Sequence, residues 1–557
     1  MIKELEDAAQ LLQSALERYT NTCLFIANTH NAPNEPYDII RKSLASINNV
    51  FSLVASYKKK WNHAKAVINQ TRNSLSIVPI NSLPDELIAR IFRSVLDTVA
   101  RRDMNPVIQC EGNLPTHAKD FLHICSRWRR IAVSSCVLWR RVNVVLSHPH
   151  FYKLLDRGAM SASFSGGLPL DIYIVDRFGD PIDLEEDDEE ETYIDLRLRK
   201  LCCIVLPRAR SFTLSLHTGP LRNRSISPLL NHCIANFTPG TLTRLSITTH
   251  QLECREPSRA DRAYILAKSE LPPVRGYNTV IWRLDTTTSH IDELLRPITE
   301  LHLDAAYFHW DSCAYHGLTE LILTNQYERR NDLKIISVSQ LVQILRSSPR
   351  LGVLWFGMDL MEEEDDAQFP PPVELHELKA LVLSSPFRSR EIVLQLISAG
   401  PKLQRMGIIQ ADSEMSSALP SEEGLVKFCT RSRIMQFYLD MKGRTRPTRL
   451  SQIFKLFPDL QTLIMFGSSP VDDDTTNPDL NGDLSTHPIR DELRLIGIRL
   501  LFRKSLKPME RRFKKITLSG CPVIEPEMEN RFGEWGTLCK VVGSRYDFDL
   551  ADWSRGL

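Results

Sequence analysis

His309, Cys313 and His316 are the side chains of this sequence whose types and spacing come closest to a metal site. Imidazole nitrogens and a thiolate are ligands that zinc prefers, and so compact a cluster could supply three of them. A structural zinc ion needs four ligands, however, and no second cluster accompanies this one to complete the set. We therefore interpret the segment as a surface loop with incidental histidines, and we predict neither a metal nor a cofactor.

Two acidic runs, Asp183 to Glu191 and Glu362 to Asp366, raise the question of cation binding. A calcium loop needs carboxylates on a folded turn that contains a glycine, and the first run has none. Blocks of like charge repel one another and favour solvated loops. The second run follows a predicted strand, where it could bind a basic peptide segment, but a solvated loop is again the favoured interpretation.

Motifs that would supply a catalytic nucleophile, a phosphate cradle or a catalytic zinc are missing from the sequence. The patterns GxxxxGK[S/T], GxGxxG, GxSxG and HExxH do not occur, and each of them assembles groups that its chemistry requires. We therefore predict no catalytic residue and a protein that is not an enzyme.

The composition is typical of soluble globular proteins, since 43% of the 557 residues are hydrophobic and 25% are charged. A net charge of +1 gives no reason to expect a nucleic-acid partner. The twelve cysteines are scattered, which favours a reducing compartment. No apolar run approaches the roughly 18 residues of a membrane span, and the opening MIKELEDAAQ does not resemble a secretory signal. We predict a soluble intracellular protein, cytoplasmic and/or nuclear, with no membrane partner.

The elements that would position a functional surface begin with a predicted helical module from Ser82 to Val144. Pro84 lacks an N–H and has a fixed φ, so it suits the first turn of a helix, and the acidic Asp85 and Glu86 favour the positive end of the helix dipole. Three- and four-residue spacing predicts one apolar helix face. Its members are Leu87, Ile88, Ile91, Phe92, Val95 and Leu96. The stripe of a second predicted helix consists of Phe121, Ile124, Cys125, Trp128, Ile131 and Ala132, and the pair Leu138-Trp139 follows it.

These residues resemble the F-box of large fungal families, in which an LP-x-E-[IL] helix is followed by C-x-x-W-[RK]-x-[IL]-A and then by LW. The resemblance covers about sixty residues, and its ordered pair of motifs is fairly specific. It implies that the module binds a Skp-type adaptor and, through it, a cullin–RING ligase. The implied adaptor-binding residues are Leu83, Pro84, Leu87, Ile88, Ile91, Phe92, Cys125, Trp128, Ile131, Leu138 and Trp139. Many F-boxes connect their helices more tightly, so we interpret about residues 99–117 as an inserted loop.

Two further helices are predicted before this module. Apolar residues recur at helical spacing from Ile2 to about Ala27 and from Ile40 to Val67, and the turn sequence NAPNEP separates the two runs. Helices joined by a short loop usually pack antiparallel, so we predict a hairpin that supports the F-box-like module. A longer coiled coil for self-association is the alternative.

After residue 200, a six-residue pattern with apolar residues at positions 1, 4 and 6 recurs along the chain. Its copies are residues 209–214, 242–247, 298–303, 318–323, 351–356, 378–383, 403–408, 434–439, 460–465 and 513–518. Between 298 and 460 the first positions are separated by 20 to 33 residues, a period that indicates a solenoid. The pattern L-x-x-L-x-L resembles a degenerate leucine-rich repeat. An ordinary α/β domain with parallel strands would show the same alternation of strands and helices and is the alternative.

The predicted fold is therefore mixed α/β, with three parts. Residues 1–75 form an N-terminal helical hairpin, residues 76–147 an F-box-like domain, and residues 148–557 an irregular leucine-rich-repeat-like α/β solenoid. The resemblance implies a substrate-recognition subunit of an SCF-type cullin–RING E3 ubiquitin ligase, whose repeats bind a protein substrate through residues that the sequence does not identify. The alternative is a non-degradative scaffold for protein–protein interactions, in which the F-box-like helices cap the solenoid.

Overall fold

The structure is a computed structural model, and it describes the following residues of the chain. They are 2–29, 37–74, 79–102, 117–146, 148, 150–175, 196–218, 223–251, 262–268, 270, 279–325, 336–361, 369–409, 422–440, 448–449, 453–454, 456–467, 471–472, 490–496, 513–519, 538–542 and 553. Both acidic runs lie outside these residues. Among the helices that are described, none is long and apolar enough to cross a membrane.

The chain divides into two units, Met1–Ile88 and Ala89–Leu557, and the boundary falls inside a helix. The first unit contains the helices α1 (Ile2–Thr29) and α2 (Tyr37–Ser74), a short 3-10 turn and the start of α3 (Asp85–Arg102). The two N-terminal helices predicted from apolar spacing are thus confirmed. No described side chain of α1 is buried, and large apolar residues of both helices are exposed, among them Phe25 and Trp61. Antiparallel packing of the pair stays a prediction.

The second unit alternates helices with strands of one large sheet. Its helices after α3 are α4 (Ala118–Phe121), α5 (Ser126–Ser134), α6 (Phe151–Phe164), α7 (Leu196–Val205), α8 (Asn223–Asn236), α9 (Thr288–Leu295), α10 (Val338–Ser347), α11 (Phe387–Leu396) and α12 (Glu422–Arg431). The strands up to the middle of the unit are β1 (Arg141–Val145), β2 (Leu170–Val175), β3 (Ala209–Thr218), β4 (Arg244–Gln251), β5 (Arg262–Ala267), β6 (Thr279–Leu284), β7 (Glu300–Asp304), β8 (Ala306–Phe308), β9 (Glu320–Thr324), β10 (Ile336–Ser337), β11 (Val353–Gly357) and β12 (Leu360–Met361). The remaining strands are β13 (Val373–Leu375), β14 (Ala380–Leu383), β15 (Ile397–Ala399), β16 (Arg405–Ile409), β17 (Gln436–Asp440), β18 (Thr448–Arg449), β19 (Thr462–Phe466), β20 (Val471–Asp472), β21 (Arg490–Ile496), β22 (Phe513–Ser519) and β23 (Leu538–Val542).

Fourteen of these strands form a parallel sheet whose order follows the chain. The order is β1-β2-β3-β4-β7-β9-β11-β14-β16-β17-β19-β21-β22-β23. Each of the ten six-residue repeats contributes one strand, and equivalent positions of neighbouring repeats pair with one another: Leu321 lies between Leu301 and Leu354. The side chains at positions 4 and 6 of each repeat share one face, because alternate residues of a strand point the same way. In the nine repeats from 209–214 to 460–465 they build the main core of the unit, and the predicted mixed α/β class is confirmed.

Four strands of the sheet lie outside the repeat pattern: β1, β2, β21 and β23. β21 carries Leu493 and Leu495 at positions 4 and 6, but Arg490 stands at position 1, where the pattern requires an apolar residue. In β23 the residues at positions 4 and 6 are Cys539 and Val541, which are smaller than leucine. Strand β6, which includes Val280 to Leu284, does not belong to the large sheet but joins β5 and β8 in a separate three-stranded sheet.

Local sequence features set the ends of the helices between the strands. α10 begins with a capping box, in which the Ser337 hydroxyl accepts from the N–H of Gln340 and the Gln340 side chain accepts from the N–H of Ser337. Its apolar residues between Val338 and Leu345 are buried. The next helix, α11, ends at Leu396, because Ile397 already belongs to β15.

Candidate functional site

Helix α3 carries two apolar stripes rather than the one that its spacing predicts. The carbonyl of Pro84 accepts hydrogen bonds from the N–H groups of Leu87 and Ile88, so the proline precedes the first helical turn by one residue. Ile88 and Phe92 are buried. The other stripe, which we call the exposed α3 stripe, consists of Leu87, Ile91 and Val95, whose exposed fractions are 44%, 37% and 40%. Exposed apolar residues in a continuous row mark a surface that gains free energy when a partner covers it.

A small aromatic cluster lies beneath the C-terminal part of α3. The rings of Phe92 and Phe121 are stacked, with centroids 4.1 Å apart and planes inclined by 8°. Trp128 lies 4.7 Å from Phe92, at a tilt of 58°. This cluster joins α3 to α4 and α5, so three short helices share one core although each alone would bury little apolar surface.

The cysteine and the tryptophan pair of the motifs have structural roles in α5 and the turn that follows it. The Sγ of Cys125 accepts a hydrogen bond of 3.4 Å from the N–H of Trp128 and so caps the first turn of α5. The indole Nε1 of Trp139 donates to the carbonyl of Ala132 over 2.7 Å. Trp139 is fully buried and leads directly into β1, so this indole fixes the path of the chain from the helices into the sheet.

The eleven residues proposed to bind an adaptor divide into two groups by exposure. Those that are buried are Ile88, Phe92, Ile131, Leu138 and Trp139. Those that are exposed or partly exposed are Leu83, Pro84, Leu87, Ile91, Cys125 and Trp128. A side chain without exposed surface holds the module together but presents no area to a partner. Val133 and Val137 are exposed apolar residues of the same region. The sequence did not indicate them, because neither belongs to the apolar stripes predicted from helical spacing.

The predicted inserted loop is shorter than expected at its start. Helix α3 continues through Arg102, so the first residues of the segment from Val99 are helical, because alanine and arginine favour a helix. Residues 103–116 lie outside the described residues. The segment ends at His117, which is the N-cap of α4 and forms a capping box with Asp120.

His117 is a pH-sensitive contact between α4 and α6. Its Nε2 lies 3.1 Å from the hydroxyl of Ser161, and its Nδ1 accepts from the N–H of Lys119. Burial, and secondarily the positive charge of Arg157, lower the pKa of His117 to about 4. The neutral imidazole is therefore the form that fits this position.

We expect the helices around His117 to lose stability as the pH falls from about 6.5, the unfolded-state pKa, towards about 4. In that window the unfolded chain binds a proton that the folded chain excludes, so the free energy of unfolding falls by up to about 3 kcal/mol. Urea unfolding at about pH 7 and about pH 5 measures the difference. His117→Asn keeps a side-chain oxygen for the cap and should flatten this dependence; an equally steep fall in the variant would contradict the assignment.

The second face of the large sheet carries one residue per strand in a continuous row, which we call the central row. It occupies position 5 of each of the ten repeats and the positions that pair with it in β1, β2, β21 and β23. Its members are Asn143, Tyr173, Thr213, Ser246, His302, Ile322, Trp355, Val382, Gly407, Tyr438, Ile464, Arg494, Thr517 and Lys540. The last three members are polar, the first five are polar or tyrosine, and the six between them are apolar or aromatic apart from Gly407.

Polar groups in the first part of the second face pair with one another. The Nη2 of Arg210 donates to the Oδ1 of Asp171 over 2.8 Å, and Ser246 lies 3.3 Å from the Nδ1 of His302. Arg210 is exposed and the other three side chains are partly exposed. Exposed pairs of this kind contribute little to stability.

The cluster considered for zinc does not assemble in the described structure. The thiol of Cys313 donates to the carbonyl of Asp292 over 3.2 Å, and the Nδ1 of His309 lies 3.5 Å from a carboxylate oxygen of Asp311. Burial, followed by the influence of Asp292, raises the pKa of Cys313 to about 12, so the thiol stays protonated. Within the part of the chain that the structure describes, no group of three metal-binding side chains converges.

No protein-family model matches this chain, and no curated protein matches its sequence.

Proposed function

We propose that this protein is the substrate-recognition subunit of an SCF-type cullin–RING E3 ubiquitin ligase. Its F-box-like helices bind a Skp-type adaptor, and its leucine-rich-repeat-like solenoid binds a protein substrate. The observation that carries the proposal is the exposed α3 stripe, which follows Leu83-Pro84 in the F-box-like motif. The residues of the motif thus divide into those that build a core and those that leave apolar surface for an adaptor.

The large sheet supports the second half of the proposal. Fourteen parallel strands in chain order place equivalent residues side by side, as stacked repeats do, and such arrays commonly bind proteins along one extended surface. A receptor of this kind needs no catalytic group of its own. It acts by holding substrate lysines near the conjugating enzyme, which raises their effective concentration there.

A repeat scaffold without ligase function is the second candidate, and one observation favours it. Strand β1 is the first edge of the large sheet, and the turn that carries Trp139 leads directly into it. The ring of Trp139 lies 4.8 Å from Phe164 of α6, so the F-box-like module is packed against the helix that follows β1. A solenoid end needs such a cover whether or not the helices also bind an adaptor.

Binding of the purified chain to a purified Skp-type adaptor tests the proposal. We expect a stable complex by size-exclusion chromatography, and we expect the double variant Leu83→Ala/Pro84→Ala to lose most of that binding. These side chains precede α3 and contribute little to the aromatic cluster, so the variant should remain folded by circular dichroism. Failure of the wild-type chain to bind the adaptor would remove the receptor proposal and leave the scaffold.

A further inference from the structure

Helices α1 and α2 carry apolar stripes that stay exposed in the described part of the chain. None of the described side chains of either helix is buried. Long helices of proteins gain most of their stability from the packing of an amphipathic face rather than from intrinsic propensity. A chain that builds helices of 28 and 38 residues therefore needs a surface against which these stripes can pack.

The apolar stripe of α1 follows coiled-coil spacing along almost the whole helix. Its members are separated alternately by three and four residues, as the a and d positions of a heptad repeat are. We call this set the α1 seam, and it consists of Ile2, Leu5, Ala9, Leu12, Leu16, Tyr19, Cys23 and Ile26. Exposed fractions between 47% and 77% are found for Ile2, Leu5, Leu12 and Leu16. The seam is about 36 Å long at 1.5 Å per residue, and much of its apolar surface faces solvent.

Helix α2 has a stripe of the same kind and of similar length. We call it the α2 seam, and its members are Ile47, Val50, Val54, Tyr57, Trp61, Ala64 and Ile68. Their separations again alternate between three and four residues. Exposed fractions between 45% and 66% are found for Val54, Tyr57, Trp61 and Ile68. The α2 seam is about 32 Å long, so the two seams can cover each other over nearly their whole length.

The charges of the two helices determine which pairing is favourable. Helix α1 has four acidic and two basic residues, whereas α2 has one acidic and seven basic residues. Lys58, Lys60 and Lys65 occupy the e and g positions that flank the α2 seam, and all three are exposed. Two α2 helices side by side would bring these like charges together, whereas the acidic α1 beside α2 would not. The seams therefore favour pairing of α1 with α2.

The exposed area of the seams is large enough for a stable dimer. The four most exposed residues of each seam leave roughly 500 Å² of apolar surface on one chain, at roughly 100 Å² for a whole aliphatic side chain. Because about 60% of a typical interface is apolar, this corresponds to about 800 Å² of interface per chain. A standard stable interface buries about 800 Å² on each partner.

We propose that two copies of this chain associate through the α1 seam of one copy and the α2 seam of the other. A second copy supplies a seam of matching length and opposite charge for each helix, and two-fold symmetry makes the same contact twice. The inference goes beyond the proposed function and does not depend on it. In a receptor, it would place two F-box-like modules in one assembly, which could then bind two adaptors at once.

Sedimentation velocity of the full-length purified chain, without adaptor, tests the proposal between about 1 µM and about 100 µM. We expect a species with the mass of two chains. We expect Leu12→Glu/Leu16→Glu to weaken the association at least about 100-fold, because the carboxylates would have to lose their hydration. The matched control is Leu11→Glu/Leu24→Glu, which replaces two exposed leucines of α1 outside the seam and should stay within about threefold of the wild type.

A mixing experiment tests which helices pair. Trp61→Glu/Ile68→Glu removes the α2 seam, so this variant alone should also sediment as a single chain. Mixed with Leu12→Glu/Leu16→Glu, it should form a dimer of the two variants, because their remaining α1 and α2 seams complete one of the two contacts. Circular dichroism should show equal helix content in all variants, since the replaced side chains are exposed.

Three results would overturn the proposal. The first is a wild-type chain that sediments as a single chain at every concentration, which would leave the seams to a different partner or to none. The second is an equal loss of association in the seam variant and in the Leu11→Glu/Leu24→Glu control. The third is a mixture that fails to associate although the wild type does, which would exclude pairing of α1 with α2. Because no adaptor is present, none of these results bears on the receptor function.

Discussion

Replacing Trp139 with alanine is expected to lower the free energy of unfolding of the F-box-like helices by about 3–5 kcal/mol. The side chain is fully buried, packs on Phe164 and donates its indole N–H to the carbonyl of Ala132. Truncation would leave a large cavity and a buried carbonyl without its donor. Hydrogen exchange of the amides in α4 and α5 measures the effect, because it reports the free energy at which these helices open.

Two control variants separate packing from hydrogen bonding at this position. Trp139→Phe keeps a ring but removes the donor, so we expect a loss of only about 1–3 kcal/mol. Val137→Ala truncates an exposed apolar residue of the same turn and should change the free energy by less than about 0.5 kcal/mol. If the amides of α4 and α5 exchanged no faster in Trp139→Ala than in Val137→Ala, the tryptophan could not be the residue that joins the helices to the sheet.

The sheet was predictable from the sequence because its rule is local. A strand whose positions 4 and 6 face a core must carry apolar residues there, and repeats of similar length bring those positions into register. Leu321 thus lies beside Leu354 as the pattern requires. The rule fails where a polar residue stands at position 1, as Arg490 does at the start of β21, since the buried Leu493 at position 4 still favours a strand there.

The surfaces were less predictable, because exposure depends on which neighbours arrive from elsewhere in the chain. Spacing alone shows that Leu87 and Phe92 both belong to the apolar side of α3, but not that one is exposed and the other covered by Phe121. The burial of Trp553 was also not predictable: it belongs to none of the repeats, and it lies beside Gly407, which is 146 residues earlier in the sequence. A glycine inside a strand often marks a place where another part of the chain approaches closely, and Gly407 at position 5 of its repeat is such a residue.

Replacing Leu87 and Ile91 together with glutamate is expected to reduce adaptor affinity at least about 100-fold. The two residues are four apart on one helix and so lie on the same side of it. Covering each of them in a complex would contribute roughly 1.5 kcal/mol or more, and a carboxylate in the same place would have to lose its hydration. Titration calorimetry with the purified adaptor measures the loss.

The control for charge is Arg90→Gln/Arg93→Gln on the polar side of α3, which lowers the net charge by the same two units. We expect this variant to bind the adaptor within about threefold of the wild type, because Arg93 is exposed and its ion pair with Asp97 is worth little. Leu87 and Ile91 are themselves exposed, so their replacement should leave the exchange of α4 and α5 amides unchanged. Loss of adaptor binding with unchanged exchange would separate the contact surface from the core of the module. Loss of both would mean instead that the exposed α3 stripe is part of the fold, and the scaffold would then be the better account of these helices.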